Sequence, residues 1–134
     1  MDDRAHQQLH LQPGEYVIDH LPQSTVPPPG ADWVALVRAP EGLTIVRRPT
    51  GTEAAFRDRW AGFYGGQTAH GLDLPGMLAA VVNPLAQAAI PVFVTSTYHA
   101  DLVLVPVERL AEAGETLRQA GHVVHDTASG LQPG

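Results

Sequence analysis

The second half of this sequence sets a cluster of polar side chains between two segments that want to be buried. Val92-Phe93-Val94 and Leu102-Val103-Leu104-Val105 are apolar, and between them stand Thr95-Ser96-Thr97-Tyr98-His99-Ala100-Asp101. An ionised Asp101 is an acceptor suited to an ammonium or a guanidinium. Earlier in the chain Gly71-Leu72-Asp73-Leu74-Pro75-Gly76 runs into a helical pattern. A helix entrance offers unbonded N–H groups and the positive end of the dipole, both of which favour an anion. Glycines at 71 and 76 let a ligand come close to the backbone. Each feature also has a plainer reading. Asp101 closes a hairpin turn, the Gly71 to Gly76 loop is a simple β-to-α connection, and Tyr98 and His99 are exposed turn residues.

Composition removes most other chemistries. The chain has 134 residues, 44% of them hydrophobic and 16% charged, which fits one globular domain or two small halves sharing a core. A formal net charge of -6 argues against nucleic acid or an acidic membrane surface as a partner. With 0 cysteines there is no disulfide, thiolate site or thiol nucleophile. Lysine is absent too, so a P-loop lysine, a Schiff base and a Ser-Lys dyad are excluded. Ser24, Ser96 and Ser129 stand outside any nucleophile motif. His6 and His10 have no acids to complete a metal site, and His122 and His125 point to opposite faces of a strand. "GFYGGQTAHG" is not G-x-G-x-x-G, and Arg47-Arg48 read as a solvated strand end. No cofactor or metal is implied. The start lacks an apolar leader core, and no run approaches the ~18 apolar residues of a membrane span, so a cytoplasmic location is expected.

The elements that position these residues follow from periodicity and punctuation. "EYVIDHL", "WVALVRA", "LTIVRR" and "AGFYGG" read as strands, and "TEAAFRDRW" as a short helix capped by Thr52. The proline run "STVPPPG" is neither helix nor central strand. Met77, Val81 and Leu85, with Leu78 and Val82 beside them, form a helical stripe over residues 74–89, entered at Asp73 or Leu74. Residues 107–121 form a second helix with Leu110, Ala113, Gly114 and Leu117 on one face, ending at Gly121. "HVVH" is the last strand. The two hairpin strands are apolar at consecutive positions, so both faces of their sheet should be covered, by the other half of the chain or by a second subunit.

The order strand, turn, strand, proline, helix, strand occurs twice, a weak duplication. The expected fold is α+β, with two ferredoxin-like βαββαβ halves. The first half is degenerate and lacks its first helix. The expected division is 1–8 as a disordered N-terminus, 9–60 and 61–126 as the two halves, and 127–134 as a tail.

Residues 60–124 resemble the ACT domain family, in the subgroup of small bacterial tandem-ACT proteins similar to aspartate kinase regulatory domains and the cytosolic arginine sensor. The matching motifs are the glycine loop at 71–76, "PLAQAAI" at 84–90 and "STYHADLVLV" at 96–105. The opening strand and "GLTIV" match less well, because the family usually has acid-Leu-Ser where Gly42-Leu43-Thr44 stands. The resemblance implies non-catalytic binding of a free amino acid at an interface between modules. Its zwitterion would be held by Gly71, Leu74, Pro75, Gly76, Thr97 and Asp101. It also implies a homo-oligomer or a regulated partner protein as the output. The alternative is a structural or oligomerisation module with a vestigial pocket.

Overall fold

The computed structural model describes residues 6–27, 29, 32–65 and 76–126. Its regular elements in chain order are β1 (Gln8–Leu11), β2 (Val17–Leu21), β3 (Trp33–Ala39), β4 (Gly42–Arg47) and β5 (Trp60–Tyr64), then α1 (Met77–Gln87), β6 (Phe93–Ser96), β7 (Asp101–Pro106), α2 (Leu110–Gln119) and β8 (Val123–Asp126). The chain divides into two compact units, one of Met1–Pro13 with Ala61–Gly134 and one of Gly14–Trp60.

The first unit is a five-stranded sheet in the order β6-β7-β5-β1-β8 with both helices. Without β1, this is the ferredoxin-type arrangement expected from the sequence. The N-terminal strand is inserted between β5 and β8, antiparallel to the former and parallel to the latter. The reading that joined residues 9–60 therefore differs from the structure at its first strand. In the same way, residues assigned to an N-terminal tail extend into structure, since Gln8 opens β1 and Gln7 is hydrogen-bonded on both sides. The alternation Gln8-Leu9-His10-Leu11 demands one buried face, but it does not say which sheet supplies it. Leu9 enters a core with Phe63, Val81, Leu85, Ile90, Val103, Val105, Ala113 and Leu117. On β7, Leu102 and Leu104 are 5% and 0% exposed although they point away from that core, so the strand is buried on both faces.

Both helices end in the same way. Ile90 N–H donates to Leu85 C=O at 2.9 Å and Ala89 N–H to Ala86 C=O at 2.9 Å. His122 N–H donates to Leu117 C=O at 3.1 Å and Gly121 N–H to Arg118 C=O at 3.0 Å. These are paired Schellman closures, which place the residue after the cap in the left-handed region. Gly121, at φ 101, meets the demand at no steric cost, whereas Ala89, at φ 59, meets it with a Cβ.

The second unit is the sheet β2-β4-β3, with Asp19 opposite Ile45 and Val17 opposite Arg47. The helix expected over residues 52–60 is a single 3-10 turn, Glu53–Ala55, and Thr52 does not cap it with its side chain. Apolar residues there are consecutive rather than helically spaced, and Phe56 is 73% exposed. Polar contacts hold the segment instead. Arg47 bonds Asp19 and Glu53, each at 2.6 Å, and Arg57 reaches the same two acids at 3.1 and 3.2 Å. The side chain of Glu53 also accepts the Thr50 N–H at 2.8 Å. The Arg47 hydrogen bonds, with help from Thr50, hold the Glu53 carboxyl at about 2. Burial pushes the Asp19 carboxyl up, but the bonds and charges of Arg47 and Arg57 outweigh it and hold it below its ordinary value. Arg47 and Arg48 are therefore not a solvated strand end, since Arg48 lies 4.1 Å over the Tyr16 ring and donates to Glu15 C=O.

Candidate functional site

The β6–β7 hairpin places Ser96 directly opposite Asp101. Ser96 Oγ donates to Asp101 Oδ1 at 2.6 Å. The other carboxylate oxygen has no partner among the described residues, and no arginine among them pairs with this acid. The hairpin tip is closed by Thr97. Its N–H donates to Ala100 C=O at 2.7 Å, and its hydroxyl donates to the same carbonyl at 3.0 Å. That hydroxyl also accepts the N–H groups of His99 and Ala100. Tyr64 OH lies 3.0 Å from Thr97 Oγ1, within hydrogen-bond distance. Thr97 thus shapes the turn with its side chain, and Tyr98 is 75% exposed with its ring edge-on to His99.

The other half of the expected site is the entrance of α1. The helix is capped by Gly76, at φ 86, with no side-chain cap bond. Asp73 and Leu74, expected as caps, fall outside the described residues, and the cap position itself is Gly76. A Cβ at Gly76 would meet nothing within 4 Å, so it is the left-handed backbone that calls for glycine there. Gly71, Leu74 and Pro75 also lie outside the described residues.

A residue without any sequence signal links the two halves. Gln7 Nε2 donates to Met77 C=O at 2.7 Å, and its Oε1 lies 3.0 Å from where a Cβ of Gly65 would sit. Gly65 N–H in turn donates to Asp101 C=O at 3.1 Å. One glutamine therefore bonds the first residue of α1 and lies beside Gly65, the residue after β5 that is bonded to the hairpin mouth. Gln7 is itself held by β8, where its C=O accepts the Val123 N–H at 2.9 Å and its N–H donates to His122 Nδ1 at 3.1 Å. His122, 4% exposed, completes the brace through Nε2 to Ala80 C=O at 2.8 Å. With Nδ1 accepting and Nε2–H donating, the ring is the neutral Nε2–H tautomer.

Of the six predicted site residues, Thr97 and Asp101 stand on one hairpin, and Gly76 precedes Met77, whose carbonyl accepts from Gln7. Sequence reasoning missed Ser96, Tyr64, Gln7 and His122 as participants. Only Ser96 was findable, by counting the hairpin register back from Asp101. The site is polar, its carboxylate has no cationic partner among the described residues, and it can hold a cationic group against Asp101 Oδ2.

The chain can be set beside known proteins. Residues 55–119 match the model of the ACT domain. The fold is similar to that of protein Atu0741 from Agobacterium tumefaciens, with a TM-score of 0.72 and 28% identity over 90% of this chain and 93% of that one. It is also similar to VC0802 from Vibrio cholerae, a protein of unknown function described as a possible transport protein, with a TM-score of 0.68 and 23% identity over 84% of this chain and 89% of that one. Aspartokinase alpha and beta subunits share the fold at a TM-score of 0.63 and 11% identity, over 86% of this chain and 97% of that chain. No curated protein matches the sequence.

Proposed function

Residues 55–119 form an ACT domain, and from that premise we propose that the protein is a non-catalytic regulatory module that binds a free amino acid. The observation that carries this reading is Asp101. Its Oδ1 is held by Ser96, its Oδ2 has no partner among the described residues, and its backbone is bonded to Gly65, which lies beside the glutamine that bonds the first residue of α1. An ammonium or guanidinium suits the open carboxylate oxygen, and a carboxylate suits the first-turn N–H groups of α1, which have no side-chain cap. The Gly71, Leu74, Pro75 and Gly76 loop would supply the backbone for the anionic end, and the hairpin that Thr97 shapes would supply the cationic end. The output is a change in self-association or in a partner protein. No helix among the described residues is long and apolar enough to cross a membrane.

A thermal-shift screen of the purified protein against the twenty amino acids tests the reading. A ligand at ~100 times its Kd adds about 2.7 kcal/mol of stability and raises the melting temperature by several degrees. The shift should vanish in Asp101→Ala and weaken in Ser96→Ala. If no amino acid moves the wild-type curve, the alternative takes its place, in which the fold is a docking or oligomerisation module with a vestigial pocket.

A further inference from the structure

Away from the hairpin, a cavity of about 420 Å³ opens in the same unit between α2 and the sheet. Its floor is apolar, made by Leu11, Phe63 and Val124. Its roof is the stripe Ala111, Gly114 and Arg118, spaced so that all three lie on one side of α2, with Val107 lining the space just before the helix. The neighbouring positions Ala113 and Leu117 face the core and are 0% exposed. The cavity exists because two small residues, Ala111 and Gly114, stand above large ones.

Packing does not require the glycine. A Cβ on Gly114 would meet only the Arg118 Nη1, at 3.5 Å, which is ordinary contact. Glycine inside a helix is less favourable than alanine, so here the fold forgoes stability and keeps space. The same contact shows that the Arg118 guanidinium lies back along the helix over that space. Its one hydrogen bond among the described residues is a long one, Nη2 to Val124 C=O at 3.3 Å, and no carboxylate among them pairs with it. Asp126 lines the same mouth but has an interaction of its own.

We propose that this cavity is a second ligand site, taking a small carboxylic acid with an aryl or branched aliphatic end. The hydrocarbon part would rest on Leu11, Phe63 and Val124, and the carboxylate would take the fork of Arg118. The volume falls in the range of small-molecule pockets. This site is separate from the proposed amino-acid site and does not depend on it.

Methyl and amide NMR spectra of the full chain, titrated with phenylpropionate and with phenylpropionamide, test the assignment. The acid should shift the resonances of Leu11, Leu110 and Val124. The uncharged amide should bind at least about tenfold more weakly. Arg118→Gln should lose that preference for the acid. Gly114→Leu should abolish binding of both compounds. Gly114→Ala should melt higher than wild type and bind more weakly, opposite signs that a purely structural glycine does not give. Asp101→Ala should bind the acid as wild type does, which keeps this result apart from that of the amino-acid screen. The proposal is overturned if millimolar acid leaves these resonances unmoved, or if Arg118→Gln binds acid and amide in the wild-type ratio.

Discussion

The five-stranded sheet carries α1 and α2 and buries Phe63, Leu85, Leu104 and Leu117 almost completely. The three-stranded sheet carries no α-helix among its described residues. There the strand residues Asp19 and Arg47 are joined to Glu53 and Arg57 in a closed set of ion pairs with side chains 16–27% exposed. Strands in the two units look alike in sequence, yet the covering differs in kind. Apolar burial is non-directional and persists in salt, whereas partly exposed ion pairs are weakened by salt and by acid. The comparison also places the ligand chemistry. In the helical unit Asp101 has no cationic partner among the described residues, while the acids of the ion-pair set are neutralised in place.

The strongest test breaks the helical unit. Phe63→Ala should cost about 3–5 kcal/mol in denaturant unfolding, because a ring 1% exposed leaves a cavity under both helices. Its cost should be the same in low and high salt, and a marked salt dependence would undo the contrast between the units. Next come the helix ends. Gly121→Ala should cost about 2–3 kcal/mol, since φ is 101 and the new methyl would come within 2.6 Å of the His6 ring. Ala89→Gly should instead stabilise by up to about 1 kcal/mol, relieving a left-handed alanine at φ 59. Equal effects of one sign at the two ends would contradict the shared closure.

The smallest effects separate the units by pH. Glu53 is held at about 2 in the fold against 4.5 when unfolded, so its contribution is complete above 4.5 and is lost as pH falls towards 2. Asp19 is lowered too and acts in the same direction. Glu53→Gln should flatten the melting temperature against pH across that acid window. In the helical unit, burial lowers His10 below 6.5, and the facing His125, stacked at 4.6 Å, lowers it further. A lowered histidine favours folding above 6.5, and that contribution fades as pH falls below it. His10→Gln should remove a loss that begins near pH 6.5 and leave the more acidic transition in place. If both variants acted in the same window, the two-unit account would fail.

Much of this was legible in the residues themselves. Local periodicity located the strands at 33–39 and 43–48 to within a residue and both helices, and it marked Gly121 as the end of the second, because hydrophobic spacing and punctuation are local properties. Counting the hairpin register back from Asp101 would also have set Ser96 against it, a step the sequence reading did not take. The insertion of β1 between β5 and β8, the Gln7–His122 brace and the space under Gly114 were not legible. Each depends on residues far apart in the chain, and a four-residue strand with one apolar face fits any sheet that offers room. The sequence by itself determined which segments are helical or extended and where an acid stands among hydroxyls. Only the tertiary structure decided which sheet the first strand joins and which charges are already paired, because pairing energies depend on distance in space and not on separation along the chain.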